Sequence, residues 1–387
     1  MNRDRQRGAV FLGICVFLVY GMFVLRKYEA YTFTRYDPGW MICAVMSIVG
    51  DGDLDLRNQL ANDPNRAADQ TSRGARGEWY PLHEYLMAVV TVPFYLLLGV
   101  NGCLLFNLVI LTLLMLLLYR ICLCHLDSLS AFTAVALTAF ASLFTEYSYS
   151  YSLDVFSTFM LVLSYYVIIR TRCFLGGIAW GLAVYARLAN AVTLVGVLPF
   201  LVTNGWSWPG RTERDTSVGN AVQRAKPVFL FLVGCVPAAI CLLGANWWMY
   251  GSPFLTSYER WQRFPAGSAV VSTQMSAFSC SVVERLPGVL LDTQSGLIVG
   301  GPLMIAAVIY GVRSYWHEAP REALLVALTC AAQIYMYSKY CLAVPGSPGN
   351  RYLMPVVALC AVPLGFAVRD CFSRSSRDRR GGQGGAA

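Results

Sequence analysis

The sequence predicts an all-α, polytopic transmembrane helical bundle of about ten spans, with a long outer first loop that carries interfacial helices. Three observations predict it. Hydrophobic residues make up 56% of the 387 and charged residues only 13%, where a water-soluble chain carries roughly a quarter charged, so no aqueous core can absorb the apolar excess. Apolar runs long enough to cross about 30 Å of hydrocarbon recur along the whole chain. In lipid each backbone polar group must be satisfied within its own segment, which selects helices. Basic residues sit mainly at the ends of those runs, where they set topology. The formal charge of +8 therefore does not point to a nucleic-acid partner.

The runs lie at about 9–25, 103–119, 129–145, 151–169, 174–187, 190–204, 227–246, 295–312, 322–338 and 351–368. The first follows Met1-Asn-Arg-Asp-Arg-Gln-Arg and has no small-residue cleavage site, so it reads as a retained anchor. With the N-terminus in the cytoplasm, the inner connections carry Arg120, then Arg170 with Arg172. They go on with the 205–226 loop (Arg211, Arg214, Arg224, Lys226), Arg313 with Arg321, and the tail. Every short basic connection then falls inside. The stretch Tyr85 to Gly99 would reverse this pattern if it crossed. It contains Pro93 and is barely long enough, so it is expected to be re-entrant or to lie on the surface. The membrane domain thus covers 1–368, with outer loops at about 26–84 and 247–290. Residues 369–387, basic and then rich in glycine, are expected to be a disordered cytoplasmic tail.

Of 13 cysteines, Cys15, Cys103, Cys122, Cys235, Cys241, Cys330 and Cys360 lie inside apolar runs without metal-ligand spacing, and act as small hydrophobes. Cys43, Cys280 and Cys341 fall in outer segments and can pair. No nucleotide-binding loop, HExxH, CxxC pair or GxSxG occurs, and His83, His125 and His317 are scattered. An imidazole metal site is not expected.

The first outer loop holds Arg35-Tyr-Asp37-Pro-Gly-Trp40, then Asp51-Gly-Asp53-Leu-Asp55, and closes with Gly77-Glu78-Trp79-Tyr80-Pro81-Leu82-His83. Trp40 to Val49 is expected to form an interfacial helix presenting Asp37. A carboxylate there can act as general base on an acceptor hydroxyl, or help hold a divalent cation (Mg or Mn) against a phosphate. Asp-Pro is also a common helix start, so Asp37 equally suits a cap. Asp51, Asp53 and Asp55 would share one face of an extended strand; a solvated turn accommodates them as well. Asp53, Asp55, Glu78, His83 and Glu146 are the candidate substrate or cation contacts.

Ionisable groups at membrane depth cost about 2.5–3.5 kcal/mol each at a helix centre and so need partners. The candidates are Glu146, Asp154, Arg187, Glu284, Asp292, Lys339 and Arg351. All but Asp154 are placed near the outer end of a span, on the side of Asp37. They ring an outward-facing polar cavity with both signs of charge. Arg187 and Arg351, with Lys339, suit a phosphate, because a guanidinium offers paired donors and stays ionised. Any one of them alone could simply snorkel to the interface.

The chain resembles the bacterial membrane glycosyltransferases of the GT-C superfamily, which includes aminoarabinose transferases and protein O-mannosyltransferases. The resemblance rests on Tyr36-Asp37-Pro-Gly-Trp40, the stretch Ser47 to Asn58, Trp79-Tyr80-Pro81-Leu82-His83, Glu146-Tyr-Ser-Tyr-Ser, Gly181 to Arg187, Asn246 to Pro253, Leu291 to Leu297 with Pro302, and Gly349-Asn-Arg351-Tyr352. These elements run in order over nearly the whole chain. The resemblance implies sugar transfer from a polyprenyl-phosphate donor to a glycan, lipid or protein acceptor at the periplasmic face of the bacterial inner membrane. In it Asp37 matches the acidic residue, and Arg187 and Arg351 match basic positions that can meet the donor phosphate. The chain departs in being shorter than many members and in having Asp292-Thr-Gln where relatives show a more basic or serine-containing stretch. A transporter or lipid flippase would also need many spans, but it predicts charges near the midplane and gives no reason for a first loop of nearly sixty residues. A polysaccharide polymerase or ligase, using a lipid-linked oligosaccharide, is the nearer rival.

Overall fold

The first apolar run folds as one uninterrupted helix, α1 (Arg3–Lys27), in a computed structural model that describes residues 3–27, 37–61, 71–203, 219–260, 278–294, 296–341 and 350–381. Arg35, Tyr36, most of the basic 205–226 loop and the last six residues of the tail lie outside that description, as does the side chain of Asp37. Helix α2 (Asp37–Met46) runs into a wide turn over 47–51 that ends at Gly52, whose φ of 72° favours glycine. A hairpin pairs β1 (Thr71–Arg73) with β2 (Trp79–Pro81), Ser72 opposite Tyr80. The remaining long elements are α3 (Leu86–Leu98), α4 (Val100–Cys122), α5 (Ser128–Phe140), α6 (Leu153–Ile169), α7 (Cys173–Ala186), α8 (Leu194–Thr203), α9 (Gly219–Tyr250), α10 (Val282–Leu291), α11 (Pro320–Ser338) and α12 (Ala361–Gly381).

Three described helices are long and apolar enough to cross a membrane: Asp4–Arg26, Val100–Cys122 and Ala225–Tyr250. A fourth qualifies if Arg351–Leu359 and Ala361–Ser373, bent by 44°, cross as one. The chain is an integral membrane protein built of helices, but its crossings are less regular than hydropathy windows predict. The expected crossing at 295–312 is divided into Leu297–Gly300, Leu303–Ala306, a wide turn over 307–311 and Val312–Glu318. Gly301-Pro302 breaks the ladder, because proline has no N–H to give. At Gly311 a Cβ would overlap the Pro363 carbonyl oxygen, at 1.7 Å. Helices α6 and α7 have 17 and 14 residues, shortened by irregular chain on either side that carries the site.

Neighbouring helices pack in alternating directions. In α1, Gly8 meets Tyr119 near the end of α4 and Gly21 meets Leu108 near its start, so the two are antiparallel. Ile168 at the end of α6 meets Gly176 at the start of α7, which returns the chain to the level of Asp154. Helix α9 crosses α7 with almost no side chain between: a Cβ on Gly177 would lie 2.0 Å from the Phe231 carbonyl oxygen, and one on Gly234 2.1 Å from that of Phe174. Close backbone approach through small residues is how helices associate where water supplies no driving force.

This arrangement sorts the connections between two ends. One end gathers the first loop, the hairpin, the 141–152 segment, the α7–α8 break and the ends of α9 and α11. The other carries Arg5, Arg120, Arg170 and Glu322, with Arg5, Arg170 and Glu322 all in electrostatic reach of Cys124. Helix α3, expected to lie on the surface or re-enter, has 13 residues with Pro93 inside, about 20 Å at 1.5 Å per residue. It turns at Gly99 directly into α4. Tyr151 bonds Thr91 of α3 at 2.7 Å and stacks edge-on against Phe106 of α4 at 6.4 Å, so α3 stays beside the first third of α4. Past residue 369, α12 continues to Gly381. Its continuation is anchored by Arg369 on Glu318 at 2.6 Å and by Ser314 on Asp370 at 2.5 Å.

Candidate functional site

The site begins with an amide in the middle of an apolar helix. Asn107 of α4, 1% exposed, donates to the Tyr147 carbonyl at 3.1 Å and accepts from the Ser152 amide at 3.2 Å. One side chain thus holds both ends of the Tyr147–Ser152 turn and sets the register in which α6 starts. Tyr151 is fixed to α3 through Thr91, whose hydroxyl donates in turn to the Met87 carbonyl at 2.8 Å. Asp154 then falls in the first turn of α6, 6% exposed.

The second strand of the construction is the break after α7. Arg187 caps that helix in an extended conformation, φ −152° and ψ 107°, and a tight turn over Leu188–Thr193 follows. Breaking a helix at depth frees backbone groups that must find partners. Asn190 ties the turn back to the helix by donating to the Ala183 carbonyl at 2.9 Å, which also accepts the Arg187 amide at 3.0 Å, and Gln333 of α11 donates to the Asn190 side-chain oxygen at 3.3 Å. Trp180 donates to Thr193 at 2.9 Å. Arg351 enters from the far end of the sequence, just after Asn350 caps the Arg351–Leu353 turn by accepting from the Tyr352 amide at 3.2 Å.

These segments meet in a small open cleft, about 330 Å³ when the solvent at its mouth is counted. It is lined by Met41, His83, Tyr147, Ser150 to Asp154, Arg187 and Arg351. Asp154 forms an ion pair with Arg187 and lies 3.8 Å from Arg351 Nε. The side chains of Asp154, Arg187 and Arg351 are 8%, 13% and 20% exposed. Two guanidiniums share one carboxylate, so the cluster carries one net positive charge in a partly desolvated place. Such a cluster holds its donors ready for an anion with several oxygens. Both guanidiniums also sit by the Tyr352 ring, 4.4 Å and 5.2 Å from its centroid.

Of the residues singled out from sequence, His83, Arg187 and Arg351 line the cleft together. Asp37 opens α2, and the register puts position 37 one turn before Met41, on the same helix face; Met41 is in the cleft wall. Glu146 is half-buried immediately before Tyr147 and outside the lining. Lys339 caps α11, half-buried and outside the lining as well.

The acidic triplet does not form a strand. Asp53 accepts from Ser47 Oγ at 2.7 Å and from the Asp55 amide at 3.0 Å, while Asp55 accepts from Arg57 Nε at 2.5 Å and from the Trp79 amide at 3.0 Å. Asp51 accepts from Gln59 at 2.5 Å and Glu78 from the Arg76 amide at 3.0 Å. The carboxylates brace the loop, as short acidic side chains commonly do in turns. Asp53, Asp55 and Glu78 still form one negative patch around Tyr80, whose hydroxyl is pushed up to about 12, first by burial and then by Glu78 and Asp55. No group of three His, Cys, Asp or Glu side chains that could hold a metal occurs among the described residues. In the cleft itself only His83 and Asp154 are of that kind, and Asp154 is taken by arginines. The described lining does not fit an Mg or Mn ligand set.

Asp154 is the residue that sequence reading left out of the outer group. Its signal was the unbalanced charge: Arg187 and Arg351 at depth require a carboxylate, and Asp154 is the acid at the start of an apolar run on the same side.

Glu84, next to His83, is a buried carboxyl, 7% exposed. Burial pushes it from the ordinary 4.5 up to about 7. An acid raised on folding favours the folded state fully below about pH 4.5, and that advantage is lost as pH rises through 7. The Glu84→Gln variant removes the penalty. Its detergent-solubilised melting temperature is expected to match the parent at pH 4.5 and to exceed it at pH 8, by the equivalent of about 3 kcal/mol. Parallel pH profiles for the two proteins would refute the assignment.

No protein-family model and no curated protein matches the chain. Two solved structures share its fold. ArnT from Cupriavidus metallidurans bound to undecaprenyl phosphate superposes with a TM-score of 0.57 at 18% identity, over 92% of this chain and 59% of that one. The apo state of the same protein gives 0.50 at 17% identity with the same coverage. The chain therefore spans about 59% of the length of the ArnT chains it matches. The GT-C resemblance read from the sequence is upheld at the level of fold.

Proposed function

We propose that this chain is a GT-C-type glycosyltransferase that moves a sugar from a polyprenyl-phosphate donor to an acceptor hydroxyl. The observation that carries the reading is the Asp154–Arg187–Arg351 cluster in a cleft at the loop-bearing end of an ArnT-like bundle. The ArnT neighbour's undecaprenyl phosphate supports a ligand of that class. The donor phosphate would lie on Arg187 and Arg351, with Lys339 adding an ammonium from the same end of the bundle.

The acceptor oxygen attacks the anomeric carbon, the bond from that carbon to the phosphate oxygen breaks, and Asp37 takes the hydroxyl proton. Polyprenyl phosphate leaves as an anion whose growing charge the guanidiniums neutralise. Tyr147 and Ser150 to Ser152 offer the sugar hydroxyls a wall of polar and aromatic groups. Asp53, Asp55, Glu78, His83 and Glu146 stand around this end as acceptor contacts.

Two features support a periplasmic site in a bacterial inner membrane. Cys280 and Cys341 form a disulfide at the site end, and disulfides persist on the oxidising side of a membrane. Basic connections gather at the opposite end, as cytoplasmic loops do. The charges cluster toward one end and not at the midplane, which favours an enzyme over a transporter.

The test is transfer by purified protein from a labelled polyprenyl-phosphate sugar, parent against Asp37→Asn. The variant is expected to be slower by about 10²–10⁴-fold, the usual contribution of a positioned base. Equal rates would remove Asp37 from the chemistry.

A further inference from the structure

We propose that the Cys280–Cys341 disulfide and the Tyr352 ring form a strap that positions Arg187 and Arg351 for the donor phosphate. The proposal rests on the functional reading above and names positioning residues for that same site.

Helix α10 has no fully buried residue, and only Val289 and Leu290 pack partly against the core. Covalent and polar ties to the end of α11 add to that hold. The disulfide joins Cys280 to Cys341, and the Cys280 amide donates to the Lys339 carbonyl at 3.2 Å. Arg285 Nη2 donates to the carbonyls of Tyr340 and Cys341, both at 3.1 Å. Phe278 packs on Tyr340 at 5.1 Å between ring centroids.

From there a chain of rings runs into the cleft. Tyr340 meets Tyr352 edge-on at 5.8 Å, and Tyr337 stacks on Tyr352 at 5.0 Å with planes only 10° apart. Tyr352 carries Arg187 at 4.4 Å and Arg351 at 5.2 Å. The ring quadrupole attracts a guanidinium lying over its face and so fixes the plane in which its donors point. Asp154 meets both arginines through one carboxylate, and the ring adds a second surface that sets their planes. The disulfide contributes by removing freedom from the segments that clamp the far side of the tyrosine stack.

The test measures binding of undecaprenyl phosphate and donor KM and kcat. It compares the parent, Tyr352→Phe, Tyr352→Leu, Cys280→Ser/Cys341→Ser, and the triple combination with Leu. Tyr352→Leu is expected to weaken binding and raise donor KM about tenfold, the scale of a desolvated cation–π contact, with kcat changed less than about twofold. Tyr352→Phe, which keeps the ring, should stay within about twofold. The double serine variant should weaken binding about threefold to fivefold, and add nothing once Leu stands at 352, because residues acting through one contact are not additive. Independent multiplication of the two effects, or an unchanged double serine variant, would overturn the strap.

Hydrogen exchange of the same proteins separates this idea from the functional reading. A parent that binds no polyprenyl phosphate refutes the reading. The strap is then still tested by faster exchange at 187–193 and 350–354 in the Leu and serine variants, and unchanged exchange there refutes it.

Discussion

Asp154→Leu is expected to abolish transfer and to be the most destabilising single substitution in the cleft. It leaves Arg187 and Arg351, 13% and 20% exposed, without the carboxylate that both face. Breaking a buried pair by removing one partner costs about 3–5 kcal/mol, because the remaining charge is left uncompensated. The variant should melt well below the parent in detergent. Combining Asp154→Leu with Arg187→Met should recover part of the loss, since only one guanidinium then lacks the Asp154 carboxylate. If the single variant melts with the parent and the combination is no better, Asp154 is not the counter-charge.

The second large effect is expected at Arg187. Hydrogen bonds to charged groups are worth about 1.5–3 kcal/mol, so Arg187→Met should weaken undecaprenyl phosphate binding by about tenfold to a hundredfold. Arg187→Lys should recover only part of it, because an ammonium keeps the charge but not the flat fork that lies on Tyr352. Full recovery by lysine would mean that charge alone matters. An unchanged affinity in the methionine variant would place the phosphate elsewhere.

How much of this was legible in the sequence depends on what each residue does alone and what it does by contact. Apolar runs and basic connections act singly, and they gave the membrane class and the two ends. Pro93 and the shortness of 85–99 are the grounds for expecting a re-entrant or surface-lying segment there, and α3 has 13 residues. Windows of average hydropathy cannot see the break at Gly301-Pro302 or the wide turn at 307–311, since both keep their apolar side chains. Arg187 and Arg351 could be placed together because any charge at depth needs a partner.

Contacts between distant segments were not legible. Asn107 is one amide in an apolar run, and nothing near it in sequence says that it holds Tyr147 and Ser152, 40 and 45 residues away. The alternation of Asp51, Asp53 and Asp55 suggested a strand, but Gly52 turns the backbone and the carboxylates accept local hydrogen bonds instead. The Cys280–Cys341 pairing was one of the possibilities left by three outer cysteines. Only packing selects it.

The sharing of Asp154 between two arginines also has a consequence for biogenesis. A chain made from its N-terminus presents Asp154 first and Arg187 soon after, on the hairpin of α6 and α7. At that stage the pair is electrically balanced and can enter lipid as a neutral unit. Arg351 arrives much later, with the helices that complete the bundle, and upsets the balance. The nascent protein thus has no surplus charge in its cleft until the segment that carries Arg351 docks, and the anion-binding site exists only from that point.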